Sequence, residues 1–245
     1  MLQISNLRKT YTPTSSEVLS GINLTINPGE FVVIIGSSGS GKTTLIRCIN
    51  RLISPSEGEI YFLGKPTSRL KGAKLRQLRT QIGMIFQDYN LIGRSNVMQN
   101  VLHGRLGQMN VFRSALGLYS QEDLREAHEL LTAVGLQEFM HKKAGTLSGG
   151  QMQRVGICRA MMQQPKLLLA DEPISSLDPT SAHTVLGHIK TLTEARGLTS
   201  IVNLHQVDFA RQYASRIVGL KHGQVVYDGK PGDLTEDLAS EIYDK

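Results

Sequence analysis

The chain has 245 residues, of which 40% are hydrophobic and 20% charged, and its net charge is +6. This composition disfavours intrinsic disorder, and the length suits one large α/β domain or a domain with an inserted subdomain. The positive charge is compatible with a nucleic acid, an acidic membrane surface or a phosphate-rich ligand, but the basic residues are dispersed, which disfavours a dedicated nucleic-acid-binding protein.

The first 30 residues predict antiparallel strands, because "LQISNLRKTY" and "VLSGINLTI" alternate apolar and polar residues with turn residues between them. Residues 31–35, "FVVII", are continuously apolar and predict a strand buried on both faces. The later segment "KTTLIRCINRL" places Leu45, Ile46, Ile49 and Leu52 on one helical face. The sequence therefore predicts a strand, then a glycine-rich loop, then a helix.

The loop between that strand and helix reads "GSSGSGKTT" and matches the pattern G-x-x-x-x-G-K-[ST]. Its glycines let backbone N–H groups close around phosphate oxygens, and the helix N-terminus adds the positive end of its dipole. Lys42 is suited to neutralise the β- and γ-phosphates, and the Thr43 hydroxyl to ligate Mg²⁺. The predicted phosphate-binding residues are Gly36, Ser37, Ser38, Gly39, Ser40, Gly41, Lys42, Thr43 and Thr44.

The middle of the chain, from about residue 88 to 160, predicts mostly helices and few strands. Strands and helices alternate again from "KLLLADEP" to "TSIVNLH", and "RIVGLKHGQVVYDG" then predicts a hairpin. We therefore expect an α/β fold with a mostly parallel sheet, a core at about 1–87 and 161–245, and an inserted helical subdomain at about 88–160.

Four polar residues follow apolar strands, where open parallel sheets bind their ligands. Asp171 is placed to hold Mg²⁺, directly or through water, and Glu172 to polarise the water that attacks a γ-phosphate. The His205 imidazole follows a third buried strand and is within reach of the same γ-phosphate. The Gln87 amide is a candidate for contacting Mg²⁺ or the attacking water, although Gln87 alone does not decide this.

A second glycine-containing helix start lies at "TLSGGQMQR". Ser148 is a good N-cap and Gln151 completes a capping box, so an ordinary helix start is one interpretation. Gly149 and Gly150 would also let backbone N–H groups approach an anion closely, which gives a second phosphate-binding terminus. If one nucleotide uses both termini, it is sandwiched between them.

Taken in order and spacing, these motifs resemble the nucleotide-binding subunit of ATP-binding cassette transporters across essentially the whole chain. The resemblance rests on residues 36–43, Gln87, "LSGGQ", "LLLADE", "SSLD" and His205. It implies a P-loop NTPase (RecA-like) core with an N-terminal antiparallel β subdomain. It also implies a head-to-tail homodimer with ATP and Mg²⁺ between the phosphate loop of one chain and "LSGGQ" of the other. Tyr11 would stack on adenine, and Asp178 would lie at the dimer interface.

Residues 86–123 resemble the ATPase subunits of phosphonate importers, including a long insertion. The resemblance implies uptake of phosphonates or a related reduced phosphorus anion such as phosphite. Two alternatives stay open. Residues 104–120 can be a family-specific loop without meaning for the cargo, and importers of phosphate, methionine or polar amino acids share most of the other motifs.

Because the chain has no run of 18 apolar residues and no apolar N-terminal segment, we expect neither a membrane span nor a secretion signal. An importer of this family then needs two transmembrane permease subunits and an extracytoplasmic phosphonate-binding protein. The chain itself would lie at the cytoplasmic face of the inner membrane and bind no nucleic acid. The rival is a soluble cassette ATPase acting on DNA or ribosomes. Such proteins typically fuse two cassettes or insert a coiled coil, whereas this sequence has one phosphate loop, one "LSGGQ" and no heptad run.

Overall fold

The strands form two sheets in a computed structural model that describes residues 1–12 and 16–244. The strands are β1 (Leu2–Lys9), β2 (Leu19–Ile26), β3 (Phe31–Ile35), β4 (Glu57–Phe62), β5 (Lys65–Pro66), β6 (Ile82–Ile85), β7 (Leu167–Asp171), β8 (Thr199–Asn203), β9 (Arg216–Lys221) and β10 (Gln224–Gly229). The α-helices are α1 (Lys42–Ile49), α2 (Gly72–Thr80), α3 (Val97–Leu102), α4 (Val111–Ala115), α5 (Gln121–Ala133), α6 (Gly149–Met162), α7 (Pro179–Ala195), α8 (Val207–Tyr213) and α9 (Glu236–Tyr243).

The smaller sheet is antiparallel in the order β2-β1-β4-β5. Leu2 of β1 lies opposite Ile26 of β2 on one side and Phe62 of β4 on the other. All three side chains are buried in one cluster that also contains Leu45 and Ile46 of α1. The antiparallel strands predicted for the first 30 residues are confirmed, and their apolar face packs on the helix that follows the phosphate loop.

The larger sheet has the order β10-β9-β3-β8-β7-β6, with parallel pairing everywhere except between β9 and β10. Every residue of β3, β6, β7 and β8 is buried, as expected for central parallel strands covered on both faces. Parallel pairing brings the carboxyl ends of these strands to one edge, where Asp171 lies opposite Asn203. The candidate site lies at that edge.

Residues 97–162 contain α3, α4, α5 and α6. Their buried side chains, such as Val101, Leu131 and Ile157, belong to the same hydrophobic cluster as Val33 of β3. The helical part therefore packs on one face of the large sheet and shares a core with it. The subdomain limits stay a prediction.

The helix after the phosphate loop is shorter than its apolar pattern predicts. Helix α1 ends at Ile49, and Leu52 is 43% exposed, so the prediction that Leu52 shares the buried face was wrong. Arg51 adopts a left-handed φ of 55°, and the Leu52 N–H bonds the Arg47 carbonyl at 2.9 Å. This bond across five residues closes the helix end and turns the chain away from the core.

Candidate nucleotide site

The loop between β3 and α1 places its backbone in conformations that suit glycine. Gly36, Gly39 and Gly41 have φ values of 152°, 83° and 104°. A Cβ on Gly36 would lie 2.2 Å from the Leu220 carbonyl oxygen. Gly41 is the N-cap of α1 and offers no side chain to cap it, so the first N–H groups of the helix stay available for an anion.

Lys42 is buried inside this loop, with 4% of its surface exposed. Its ammonium donates hydrogen bonds to the carbonyls of Gly36 at 2.8 Å and Ser37 at 3.0 Å. Burial lowers the pKa of Lys42, and the nearby carboxylates of Glu172 and Asp171 raise it in part. Both hydrogen-bond acceptors are neutral carbonyls, so they do not neutralise the ammonium. Its positive charge can therefore interact with a phosphate.

Asp171 connects three elements of the site. Its Oδ1 accepts hydrogen bonds from the Thr43 hydroxyl at 2.8 Å and the Asn203 amide at 3.0 Å, and its Oδ2 lies 3.9 Å from Nε of Arg47. The sequence interpretation missed Asn203, and the available signal was a polar residue at the last position of a buried strand. The hydroxyl and the carboxylate are oxygen ligands of the kind that Mg²⁺ takes together with substrate phosphates, so these residues fit that ion.

Glu172 and His205 form the second polar pair at the strand ends. His205 Nε2 lies 2.6 Å from Glu172 Oε1. Glu172 follows β7 directly and has a left-handed φ of 50°, which is uncommon for a residue with a side chain and typical of functional sites. A cavity of about 190 Å³ is lined by Val18, Ser38, Gly39, Gly41, Lys42, Thr43, Thr44 and Glu172.

Tyr11 lies at the edge of the phosphate loop, two residues beyond the end of β1 and not at its last position. The residue is 55% exposed, and its hydroxyl lies 3.3 Å from the Thr44 hydroxyl. Lys9 Nζ lies 5.2 Å from the ring centroid. An exposed aromatic ring fixed beside a phosphate loop is suited to stack on a base.

Gln87 is exposed and lies two residues beyond β6, which neighbours β7 in the sheet. Within residues 1–12 and 16–244, no hydrogen bond joins its side chain to Thr43, Asp171 or Glu172. The structure thus places Gln87 at the correct edge of the sheet without joining it to the other candidates.

The second glycine-containing helix start is capped as predicted. The Ser148 hydroxyl accepts a hydrogen bond from the Gln151 N–H at 3.3 Å, and the Gln151 side chain accepts one from the Ser148 N–H at 2.9 Å. Gly149 and Gly150 follow in the first turn of α6. None of residues 148–151 lines the cavity beside Lys42 in the described part of the chain.

Asp178 lies close to this helix start. It is the N-cap of α7 and accepts a hydrogen bond from the Ser181 N–H at 3.0 Å. A Cβ on Gly150 would lie 3.4 Å from the Ser181 hydroxyl, so the first turns of α6 and α7 adjoin each other. Hydrogen bonds from Ser181 lower the pKa of Asp178, which is therefore ionised at neutral pH.

No helix in the described residues is both long enough and apolar enough to cross a bilayer.

Comparison with known proteins identifies the family of the chain. Residues 19–175 match the family model described as ABC transporter. The phosphonates import ATP-binding protein PhnC of Treponema denticola is 50% identical, and the match covers 99% of this chain and 95% of that protein. PhnC 2 of Halalkalibacterium halodurans is 48% identical, with 99% of each chain covered.

Solved structures of similar chains agree with the fold described above. A dimeric structure of the ATP-binding cassette MJ0796, in a post-hydrolysis state bound to ADP and Pi, is 36% identical with a TM-score of 0.82, covering 94% of this chain and 99% of that one. The ADP conformation of the cassette MJ1267 is 29% identical with a TM-score of 0.85, covering 99% and 96%. The site contains a phosphate loop, two carboxylates at the end of β7 and the capped start of helix α6. The chain that carries them belongs to the ABC transporter family.

Proposed function

We propose that this chain is the ATP-hydrolysing subunit of an importer for phosphonates, or for a related reduced phosphorus anion such as phosphite. The observation that carries the proposal is the arrangement of Glu172 and His205 beside Lys42 and the Thr43–Asp171 pair. These groups supply the charge, the metal ligands and the base that hydrolysis of a γ-phosphate needs.

Phosphate binding uses the N–H groups of residues 36–44 and the ammonium of Lys42. Thr43 and Asp171 would hold Mg²⁺ with the help of Gln87, and the ion would neutralise charge on the phosphates when bound. Tyr11 stacks on the adenine ring.

Hydrolysis of ATP to ADP and phosphate consumes one water molecule. Glu172 accepts a hydrogen bond from that water and polarises it toward the γ-phosphate. His205 holds the Glu172 carboxylate in place through the 2.6 Å contact and lies at the same sheet edge for contact with the γ-phosphate.

A homodimer completes the site. Within the described chain, the cavity beside Lys42 is not lined by Ser148, Gly149, Gly150 or Gln151. In a head-to-tail dimer the second terminus serves the ATP of the partner chain, with Asp178 at the interface. The dimeric structures of the similar cassette MJ0796 support this assembly.

Transport requires further subunits. Two transmembrane permease subunits would carry the cargo across the inner membrane, an extracytoplasmic phosphonate-binding protein would deliver it, and this chain would act at the cytoplasmic face without binding nucleic acid. The cargo assignment is supported by the names of the relatives and by the insertion at residues 104–120.

The hydrolytic role is tested by Glu172→Gln, which keeps the shape of the side chain and removes its charge. We expect ATP turnover by the full chain to fall by about 100-fold or more, while ATP affinity is kept. The matched control is Glu194→Gln, the same change at an exposed position of α7. Turnover at the wild-type rate in Glu172→Gln would contradict the assigned role.

The cargo is tested separately by deleting the gene and measuring growth on a phosphonate or phosphite as sole phosphorus source. We expect growth to be lost and to return with the wild-type gene, while uptake of orthophosphate, methionine and amino acids is unchanged. Unchanged growth on phosphonate together with lost methionine uptake would show that the chain serves a different importer.

A further inference from the structure

The last helix, α9, reaches the nucleotide site although it lies outside the residues that the family model matches. Ile242 anchors this helix on the large sheet with 1% of its surface exposed, and a Cβ on Gly219 of β9 would lie 2.6 Å from its Cδ1 atom. The next residue, Tyr243, is partly buried. The packing of α9 thus places a phenol ring at the edge where the parallel strands end.

The Tyr243 hydroxyl links the last helix to the segment that carries His205. It donates a hydrogen bond to the His205 carbonyl at 2.5 Å. The backbone of Gly36, the first residue of the phosphate loop, lies near the same hydroxyl. Burial raises the pKa of the Tyr243 phenol, and the nearby backbone N–H of Gly36 lowers it in part. The phenol is therefore protonated at neutral pH and has the hydrogen that it donates.

The segment that carries His205 is short. Only residues 204–206 separate β8 from α8, and the Leu204 N–H is fixed to the Ile34 carbonyl at 3.0 Å. The hydrogen bond from Tyr243 fixes the carbonyl of the next residue, His205. With both peptides held, the His205 imidazole points at Glu172 Oε1 at 2.6 Å.

We propose that Tyr243 is a positioning residue for ATP hydrolysis, whose hydroxyl ties the His205 carbonyl to helix α9 and so aims the imidazole at Glu172. This inference rests on the proposed ATPase function. Tyr243 does not touch the reacting atoms. It acts through His205, and its loss should affect turnover more than nucleotide binding.

The test is Tyr243→Phe, which removes one hydroxyl and keeps the ring that packs in the fold. Tyr227→Phe is the matched control, because the Tyr227 hydroxyl also donates to a backbone carbonyl, that of Lys230 at 2.7 Å, and is not part of the site. ATPase kcat, ATP Kd and the melting temperature are measured on the full chain for both variants.

We expect kcat to fall about fivefold in Tyr243→Phe, as for the loss of one neutral hydrogen bond, with Kd changed by less than about twofold. Tyr227→Phe should keep the wild-type kcat at a similar melting temperature. Equal kcat values in the two variants, or a rise in Kd as large as the fall in kcat, would overturn the proposal.

A double-mutant cycle separates positioning from a general effect on the fold. In a His205→Ala chain, measured by single turnover, Tyr243→Phe should lower the remaining rate no further, because the group that it aims is gone. A further fivefold loss in that background would show that Tyr243 does not act through His205. If the wild-type chain binds ATP without hydrolysing it, the proposed ATPase function itself is wrong, whereas an active wild type with an equally active Tyr243→Phe contradicts only this inference.

Discussion

Helices α1 and α6 both begin beside glycines, yet they satisfy their first N–H groups differently. Helix α1 follows Gly41, which has no side chain to cap it, whereas α6 follows Ser148, whose hydroxyl accepts the Gln151 N–H. An uncapped terminus keeps its donors for a ligand, while a capped terminus uses one of them within the fold. Helix α1 therefore depends on its surrounding loop for stability, and α6 is a stable helix start that still offers the N–H groups of Gly149 and Gly150.

The glycines beside the two helices also differ in which atoms surround them. Gly36 is enclosed by main chain, since an added Cβ would lie 2.2 Å from the Leu220 carbonyl oxygen. Gly149 faces the end of a side chain, since its Cβ would lie 2.9 Å from the Tyr89 hydroxyl. A backbone oxygen in a sheet cannot move aside, but a tyrosine side chain can.

The largest expected effect follows from this contrast. Gly36→Ala should lower the free energy of unfolding by about 3 kcal/mol or more, because it combines a backbone clash with a left-handed φ. Gly149→Ala should change it by less than about 1 kcal/mol, because alanine favours the helix and Tyr89 can rotate. Urea denaturation with unchanged m values measures both. Equal losses of stability would mean that a Cβ is tolerated no better at Gly149 than at Gly36, which would contradict the contrast.

The cap of α6 gives an intermediate effect. Ser148→Ala removes the acceptor for the Gln151 N–H, and we expect it to lower the free energy of unfolding by about 1 kcal/mol. ATP binding by the isolated chain should stay unchanged, since Ser148 does not line the cavity beside Lys42. Ser240→Ala, at an exposed position within α9, is the control. A loss of ATP affinity in the isolated chain would show that the two termini serve one nucleotide within a single chain.

A third helix start has a cap whose strength depends on pH. Helix α5 has a capping box of Ser120 and Asp123, which uses a carboxylate where α6 uses the Gln151 amide. Burial alone would raise the pKa of Asp123, but hydrogen bonds from Ser120 and the charge of Arg105 outweigh it and lower the pKa below its usual 3.8. The α5 cap should therefore respond to acid and the α6 cap should not.

The smallest expected effect is that of Asp123→Asn. At neutral pH the variant should be less stable by up to about 1 kcal/mol, because Arg105 keeps Glu126 as a second partner. A carboxyl with a lowered folded-state pKa stabilises the fold above its unfolded pKa and loses this effect as the pH falls through its folded pKa. The stability gap between the variant and the wild type should thus begin to narrow below about pH 4, near the unfolded pKa, and close below the folded pKa. Urea denaturation between pH 7 and pH 3 measures this, and a gap at pH 3 as large as that at pH 7 would contradict it.

Local patterns determined much of this protein. The continuous apolar run of β3, the glycine loop and the capping box at Ser148 each depend on residues a few positions apart, and the structure forms all three where the sequence predicts them. The buried strand that ends in Asp171 is likewise visible in the sequence, since parallel strands covered on both faces must be apolar throughout.

Other features were decided only by tertiary structure. The helical pattern through Leu52 gives no sign that helix α1 ends at Ile49 and that the chain turns at Arg51. Helix α2 buries only Leu78, so periodicity did not reveal that helix. The partners of Asp171 and His205 come from distant parts of the chain, with Asn203 and Tyr243 brought in by the sheet order and by the packing of α9. A hydrogen bond between residues far apart in sequence leaves no local pattern, because its geometry exists only after the sheet has formed and the last helix has packed on it.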